Sequence, residues 1–396
     1  MMYQKNEEYT CSSCSSANTR EILVIKDVPA HCCLLWENRD DAINCPKGDI
    51  QLFFCNDCGH LYNQVFNPDL MEYTQDYENS LHFSPKFQEY SNQLIRRLAE
   101  TYNLYSKDIL EIGCGKGDFL KMICEYGKNR GFGFDKSYQP EFDAGTELNS
   151  VEFIQDFYSE KYKDYPADLI VTRYVLEHIQ DPLTFVKEIK NIQDQSKNVT
   201  FYFEVPNILY TLRDLGIWDL IYEHCSYFSA PSLSMLFEKL GFEVQNVTEN
   251  YLGQFLAIEA NTQKKSRNGF QTYVSITDVK KLVDNFSISF YQKLQEWEER
   301  LDIFKKEGKK IVAWGGGAKG VSFLNFLKTE DLIHEIVDIN PRKHGKYVAG
   351  TGQKYILPEE LVKIKPDVVI LMNPIYKNEI TKTLSNLNLF PEILVA

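Results

Sequence analysis

The sequence predicts an α/β protein with a doubly wound sheet at its centre, a small cysteine-rich domain before it and, after it, a domain that opens with a second strand and glycine turn. Three observations predict this class. Apolar strand-like runs alternate with amphipathic helical segments from residue 108 to about residue 260. A strand, a glycine-rich turn and a helix occur in that order twice, and seven of the ten cysteines precede residue 60. We place the domains at 1–85, 86–265 and 266–396.

Length, composition and charge restrict the class of protein. The 396 residues exceed the size at which one hydrophobic core keeps growing, and 43% hydrophobic and 25% charged residues are typical of globular proteins. The net charge of −13 would repel a phosphate backbone. No apolar run approaches the roughly 18 residues of a membrane span, and the amino terminus does not resemble a leader. We therefore expect a cytoplasmic monomer or weak homo-oligomer that binds neither nucleic acid nor membrane.

The cysteine-rich domain contains two CxxC pairs, Cys11/Cys14 and Cys55/Cys58. Zinc prefers four soft ligands in a tetrahedron, and a two-residue gap lets two thiolates reach one ion from a single turn. Four thiolates leave no open position, so the predicted zinc is structural. The runs ILVIKDV and IQLFFC between the pairs read as strands. Buried free cysteine is the alternative, and the residues that could replace one of these ligands are His31, Cys32, Cys33 and Cys45.

The central domain opens with DILEIGCGKGDFLKMI, an apolar strand that runs into Gly113, Gly115 and Gly117 and then into an amphipathic helix. Glycines let a ligand approach the backbone, and the helix offers unpaired N–H groups and the positive end of its dipole. A second strand, GFGFD, ends in Asp135, about 20 residues beyond the turn. A carboxylate at this position can accept hydrogen bonds from both hydroxyls of a ribose. This order predicts a nucleoside-type cofactor.

Two details favour S-adenosylmethionine over a dinucleotide. Glu111 precedes the first glycine as ExGxGxG, and a third strand, VEFI, leads to Asp156 and Phe157. Asp156 could accept from the exocyclic amine of adenine while Phe157 packs on its ring, the alternative for Phe157 being ordinary core packing. Further strands and helices follow, and FEVQNVTEN and GQFLAIEA read as an antiparallel edge pair. This is the seven-stranded pattern of class I methyltransferases.

Five titratable side chains fall near the carboxyl ends of the strands, where ligands of such sheets bind. They are Tyr77, His178, Tyr222, Glu223 and His224. We take His224 as general base, with Tyr222 or His178 donating to an oxyanion. Glu223 would orient His224 only if the chain turns here, and would otherwise hold substrate or a neighbouring loop. The alternative for the histidines is a purely structural role as hydrogen-bonded side chains at the strand ends. A structural role is also the alternative for the tyrosines, because tyrosine is frequent, with 24 in the chain.

Over nearly its whole length, the sequence resembles the sugar C-methyltransferases that act on nucleotide-linked deoxysugars. The resemblance is carried by CxxCGH followed by NxxFNPxLxxYxxDYENS, and by EIGCGKG, LEHI, EVPN, YEHCSYFS and GQFLAIEA. It implies a zinc domain, a central methyltransferase domain and a carboxyl-terminal Rossmann-like domain that helps to hold the substrate. The implied reaction removes the proton at C3, next to the ketone of a 4-keto sugar, and lets the enolate attack the methyl group. The five titratable residues match the family's active site, which needs no catalytic metal.

The last domain contains a second glycine turn, Gly315–Gly316–Gly317, with Asp338 about 20 residues later, which reads as another nucleotide fingerprint. The turn is WGGGAKG, whereas the family usually carries YGAxAKG, so substrate identity stays open. Lys319 and Arg342 could pair with phosphates or be solvated charges. The alternatives in function are methylation of oxygen or nitrogen in another small molecule, methylation of RNA, and a non-catalytic binding protein.

Overall fold

The computed structural model describes residues 10–71, 77, 78, 80–139, 150–193, 199–262 and 271–396. These residues form three β-sheets, and none of their helices is long and apolar enough to cross a bilayer. The strands are β1 (Thr19–Pro29), β2 (Lys47–Cys55), β3 (Leu61–Asn63), β4 (Asp108–Ile112), β5 (Arg130–Phe134), β6 (Val151–Ile154), β7 (Leu169–Arg173), β8 (Thr200–Pro206), β9 (Ser226–Tyr227), β10 (Glu243–Asn250), β11 (Phe255–Asn261), β12 (Ile311–Trp314), β13 (Ile333–Val337), β14 (Lys354–Ile356), β15 (Val368–Leu371) and β16 (Glu392–Val395). The helices are α1 (Arg39–Ile43), α2 (Pro85–Tyr102), α3 (Asp118–Gly127), α4 (Pro182–Gln193), α5 (Ile208–Asp214), α6 (Ala230–Lys239), α7 (Ile276–Lys306), α8 (Ala318–Phe326), α9 (Leu361–Ile364) and α10 (Lys377–Asn386).

The central sheet has seven strands in the order β10-β11-β8-β7-β4-β5-β6. The strands from β6 to β8 are parallel, and β11 runs antiparallel to both β8 and β10. Successive residues of β7 face opposite layers: Leu169 and Val171 pack in one apolar cluster and Ile170 in another. Because helices cover both faces, every residue of β7 is buried, as the parallel sheet of a doubly wound fold requires. The predicted fold class is confirmed, including the antiparallel edge pair.

The cysteine-rich region forms a four-stranded sheet in the order β1-β2-β3-β9. The predicted strands ILVIKDV and IQLFFC lie in β1 and β2. The fourth strand, β9, comes from the YEHCSYFS segment far along the chain, and its Tyr227 pairs with Leu61. The Ser229 hydroxyl, just after β9, donates to the Gly59 carbonyl at 2.9 Å. The first domain therefore braces the segment that carries the candidate catalytic residues.

The third sheet is parallel throughout, in the order β14-β13-β12-β15-β16. Helix α7, 31 residues long, precedes it and buries Phe286 and Phe290. One apolar cluster joins these residues to Leu52 of the first sheet, Trp218 after α5 and Ile336 of the third sheet. The three sheets thus share part of one core, while the domain boundaries at 85 and 265 stay predictions.

Candidate active site

A cavity of about 280 Å³ lies at the carboxyl ends of the parallel strands of the central sheet. It is lined by eight of the residues that the sequence singles out: Tyr77, Glu111, Gly113, Gly115, Asp135, Asp156, Phe157 and His178. Every predicted cofactor residue except Gly117 is among them. The cavity therefore joins the candidate cofactor residues to two of the candidate catalytic side chains.

The glycine turn forms one wall of this cavity, and all three glycines have positive φ, at 74°, 55° and 80° in chain order. A Cβ on Gly113 would lie 2.1 Å from Val175, and one on Gly117 would lie 2.3 Å from the Phe153 ring. A Cβ on Gly115 would meet nothing within 4 Å. Gly113 and Gly117 are thus required by packing as well as conformation, whereas Gly115 keeps the cavity open beside the backbone.

Asp135, directly after β5, holds the glycine turn in shape. Its Oδ2 accepts from the Gly115 amide at 2.8 Å, and its Oδ1 accepts from the Ser137 amide and hydroxyl, both at 2.7 Å. A carboxylate has about four acceptor sites, so capacity remains toward the cavity that it lines. The carboxylate predicted to bind a ribose therefore also fixes the loop next to that position.

Glu111 lies near the end of the strand before the turn, with its carboxyl group out of water. The residue is 3% exposed, and in the described part of the chain its Oε2 has no hydrogen-bond partner. Burial raises the pKa of Glu111 to about 8, against a lowering by Arg173. An unpaired buried polar atom is costly, so this oxygen suits a donor on a bound molecule.

Asp156 and Phe157 follow β6 at the other end of the cavity. The Asp156 carboxylate accepts from the Tyr162 hydroxyl at 2.5 Å and from Lys161 at 3.1 Å. These hydrogen bonds, that of Tyr162 first, lower the pKa of Asp156 to about 2. The Phe157 ring is 65% exposed, so the core-packing alternative is wrong and the ring is available for stacking.

His178 and His224 meet beside the cavity, with ring centroids 4.9 Å apart at an interplanar angle of 80°. His178 follows β7 in a short 3₁₀ turn, Leu176–His178, and its Nδ1 lies 3.0 Å from the Glu223 carbonyl oxygen. Because a carbonyl only accepts, Nδ1 carries the proton and Nε2 the lone pair. Burial lowers the pKa of His178 to about 4 and that of His224 well below its ordinary value. Both rings are therefore neutral near pH 7, and the lowered pKa makes each a weaker base than an imidazole in water.

Glu223 holds a neighbouring loop, the second of the two roles considered for it. Its Oε2 accepts from the Tyr77 hydroxyl at 2.7 Å, and its Oε1 accepts from the Cys32 amide. The chain does turn here, but what it presents to the histidine pair is the Glu223 carbonyl, bound to His178. Glu223 therefore positions Tyr77 and His178 instead of orienting His224.

Tyr222 points away from the cavity. Its hydroxyl accepts from the Asn67 amide at 2.8 Å, its ring packs on Phe66 with centroids 5.4 Å apart, and the residue is 1% exposed. The interpretation of Tyr222 as an oxyanion donor is not supported, because this hydroxyl fastens the first domain to the second. Of the two tyrosines in the candidate set, Tyr77 is the one that lines the cavity.

Sequence reasoning missed Arg173, which lines the cavity and is 6% exposed. Its guanidinium binds the buried Glu204 carboxylate at 3.0 Å and lies 4.4 Å from the centroid of the Phe119 ring. A signal was available, because both residues lie near the carboxyl ends of neighbouring parallel strands and pair in register. Opposite charges at adjacent strand ends predict such a pair, which here fixes the wall of the cavity below the cofactor turn.

The four predicted zinc ligands come together. The sulfur atoms of Cys11 and Cys58 lie 3.6 Å apart, as do those of Cys14 and Cys55, and all four sulfurs are within 4.8 Å of one another. Zinc–sulfur bonds of about 2.3 Å place tetrahedral sulfurs about 3.8 Å apart, so the cluster fits this ion. The alternative ligands Cys32, Cys33 and Cys45 belong to a different apolar cluster.

The second glycine turn is engaged by the chain's own residues. Asp338 accepts from the Gly316 amide and from Lys343, both at 3.0 Å, and a Cβ on Gly316 would lie 2.3 Å from the Tyr355 ring. The two cations considered for phosphates are likewise paired. Lys319 binds Asp219, and Arg342 binds Glu78 at 3.0 Å. The nucleotide-fingerprint reading of this turn is therefore not supported by its side-chain contacts.

Comparisons with known proteins identify two domains. Residues 83–247 match the model of a methyltransferase domain, and residues 254–389 match that of a C-methyltransferase C-terminal domain. The chain therefore carries an S-adenosylmethionine-dependent methyltransferase domain followed by a C-methyltransferase C-terminal domain.

Individual relatives are more distant. The tRNA U34 carboxymethyltransferase of Nautilia profundicola is 35% identical over 99 residues, which cover 22% of this chain and 31% of that protein. The chain thus spans about a third of the length of this curated relative. Among solved structures, magnesium protoporphyrin IX methyltransferase from Synechocystis PCC 6803 with bound SAH is 14% identical, covering 45% of this chain and 84% of that one at a TM-score of 0.35. A SAM-dependent methyltransferase from Aquifex aeolicus is 16% identical, and the match covers 46% of this chain and 95% of that one at a TM-score of 0.36.

Proposed function

We propose that the protein transfers the methyl group of S-adenosylmethionine to C3 of a nucleotide-linked 4-keto-deoxysugar. The observation that carries the proposal is the cavity that is lined both by the glycine turn with Asp135 and by Tyr77 and His178. The match to a C-methyltransferase C-terminal domain supports carbon as the methylated atom. The motifs shared with the sugar C-methyltransferases support the substrate class.

The residues around the cavity fit the cofactor. Three independent features would serve a methionine-linked nucleoside: the open space beside Gly115, the Glu111 oxygen that has no partner among the described residues, and the exposed Phe157 ring. In this assignment Glu111 binds the amino end, Asp135 the ribose hydroxyls, and Asp156 with Phe157 the adenine. The bound cofactor supplies an electrophilic methyl group that already has its leaving group.

The chain's own residues then have one task, to move a proton and hold the charge that remains. His224, with its neutral ring, takes the proton from the carbon next to the ketone, and the electron pair of that C–H bond passes onto the ketone oxygen. Tyr77 lines the cavity, and in the substrate complex its single hydroxyl proton turns from the Glu223 carboxylate, which accepts it in the free protein, to the enolate oxygen. His178, fixed by the Glu223 carbonyl, positions His224.

The structural zinc belongs to the same proposal. The four-cysteine cluster adjoins the sheet that β9 completes, and Lys239 of α6 donates to the Cys14 carbonyl at 2.7 Å. A filled cluster would therefore keep the YEHCSYFS segment, and with it His224, in register beside the cavity.

The test is incubation of the zinc-replete protein with methyl-labelled S-adenosylmethionine and a panel of dTDP-, GDP- and CDP-linked 4-keto-6-deoxysugars. The proposal expects a product heavier by one methyl group that has lost the hydrogen at C3. A product methylated on oxygen or nitrogen would favour an O- or N-methyltransferase over the proposed C-methyltransferase. A complete absence of transfer to the panel would contradict the proposed substrate class.

Methylation of RNA is the second candidate, favoured by the similarity to a tRNA-modifying enzyme over 99 residues. The net charge of −13 argues against it, because RNA binding depends on neutralising phosphates. A nuclease-treated preparation that shifts RNA at physiological salt would favour this candidate over the sugar.

A further inference from the structure

Three ligand-type side chains converge beside the cavity: Glu177, His178 and His224. One ligand atom from each lies within 4.8 Å of the other two. Glu177 and His178 are neighbours in the 3₁₀ turn after β7, and His224 comes from the turn before β9. The three side chains therefore come together only because two separate segments of the chain pack against each other.

Two of these side chains have unmet polar atoms. Glu177 is 2% exposed, and neither its Oε2 nor the Nδ1 of His224 has a hydrogen-bond partner in the described ranges. A carboxyl oxygen buried without a partner loses its hydration and gains no hydrogen bond in return. Arg173, a buried cation of this region, is already bound to Glu204. A bound cation would compensate the buried Glu177 carboxylate.

The third side chain is held in the form that a metal requires. His178 donates its Nδ1 proton to the Glu223 carbonyl at 3.0 Å, which leaves Nε2 with its lone pair. Metal-binding histidines are typically fixed in this way, because the hydrogen bond of the other nitrogen sets the tautomer and the ring orientation. Cys225, next to His224, adds a contact from its sulfur to the Glu177 carbonyl at 3.7 Å, which ties the two segments together.

We propose that Glu177, His178 and His224 bind one divalent transition-metal cation of the Zn²⁺ type. Two imidazoles and a carboxylate are a ligand set that suits Zn²⁺, and three protein ligands leave a position open. Since His178 also lines the cavity, the open position adjoins the substrate space. Lys319, a cation contributed by the carboxyl-terminal part of the chain, is paired with Asp219, which reduces its repulsion of a bound ion.

The consequence for turnover rests on the proposed function. An ion on His224 occupies the lone pair that would accept the substrate proton, so metal binding and proton removal exclude each other. The second equivalent of zinc would thus inhibit methyl transfer, whereas the equivalent in the four-cysteine cluster would be needed for it. The binding itself does not depend on the reaction.

Calorimetric titration of the zinc-replete protein with ZnCl₂ tests this site, since the four-cysteine cluster is then already filled. The expected result is one further equivalent, weakened at least about tenfold in Glu177→Gln and in His224→Ala. The matched control is His344→Ala, which removes another histidine–carboxylate pair, His344 with Glu360 at 2.9 Å, and should bind within about twofold of the wild type. No second equivalent, or one lost only in His344→Ala, overturns the proposal.

Anomalous diffraction at the zinc edge keeps the test decisive if a variant does not fold. Wild-type crystals soaked in ZnCl₂ should show a peak between the three side chains, and a soaked crystal without that peak contradicts the site. Failure of the proposed function can be told apart from failure of the metal site. If the protein methylates no sugar but still binds a second ion, the metal site stands and only the predicted inhibition of methyl transfer falls.

Discussion

Glu111 illustrates how one buried carboxyl group links stability to the cofactor site. Its pKa in the folded protein, about 8, is above the unfolded value of about 4.3, so folding favours the protonated form. The stability from this protonated group is complete below the unfolded pKa and is lost as the pH rises through 8.

Glu111→Gln keeps a neutral side chain at every pH. We expect the unfolding free energy of this variant, relative to the wild type without cofactor, to rise by about 1–3 kcal/mol between about pH 5.5 and about pH 8. Urea unfolding at both pH values measures it. Glu259→Gln, which removes a buried carboxylate bound to Arg97 at 2.8 Å, is the control and should show no such gain. An equal difference at both pH values would mean that Glu111 is ionised throughout.

His224 carries the proposed proton transfer. His224→Ala should lower turnover by about 10²–10⁴-fold, the usual loss on removing a general base, and leave affinity for S-adenosylmethionine within a few-fold. Steady-state kinetics and calorimetry on the same preparation measure the two quantities. If His224→Ala retains turnover and His178→Ala loses it, the base is His178, which lines the cavity itself.

At the level of elements, substitutions in the glycine turn can separate the energetic cost of backbone conformation from the effect on ligand binding. Gly115 and Gly308 both have positive φ, 55° and 67°, and neither would place a Cβ within 4 Å of another group. Gly115→Ala and Gly308→Ala should therefore lose a similar unfolding free energy, about 1–2 kcal/mol.

The two variants should differ in cofactor binding. Only Gly115→Ala places a methyl group in the cavity, so only this variant should weaken binding of S-adenosylmethionine, by about tenfold or more, equivalent to about 1.4 kcal/mol. Thermal unfolding and calorimetry of the pair measure both effects. Equal affinities would show that the cofactor does not approach Gly115.

The elements were predictable where the pattern is local. Apolar runs bounded by turns predicted the strands of the central sheet, and the GxGxG turn with Asp135 predicted the cavity wall. Pairings between distant segments were not predictable. The turn at residues 222 and 223 directs Tyr222 to Asn67 and the Glu223 carboxylate to Cys32, and no spacing in the sequence encodes these partners. Engagement of Asp338 by Lys343 was missed for the same reason.

For the molecule as a whole, the pairing of β2, β3 and β9 in one sheet makes the zinc cluster relevant to the distant site. Loss of the ion should loosen β3, and β9 pairs with β3. We expect Cys58→Ser to lose bound zinc and about 3 kcal/mol or more of unfolding free energy, with a parallel loss of turnover. Cys45→Ala, a buried cysteine outside the cluster, should keep its zinc and lose about 1 kcal/mol. Zinc content and chemical unfolding check both, and a zinc-free Cys58→Ser of unchanged stability would contradict the structural role.

Both the cofactor assignment and the proposed reaction require that the cavity beside the Gly113–Gly117 turn receives the adenosyl part of a methyl donor. Calorimetric titration of the zinc-replete protein with S-adenosylmethionine, and with its demethylated product, measures this binding. We expect one site per chain for each molecule, weakened by about 1–3 kcal/mol in Asp135→Ala because the carboxylate that shapes the turn is lost. Absence of binding by both molecules, or equal affinity in Asp135→Ala, would contradict it.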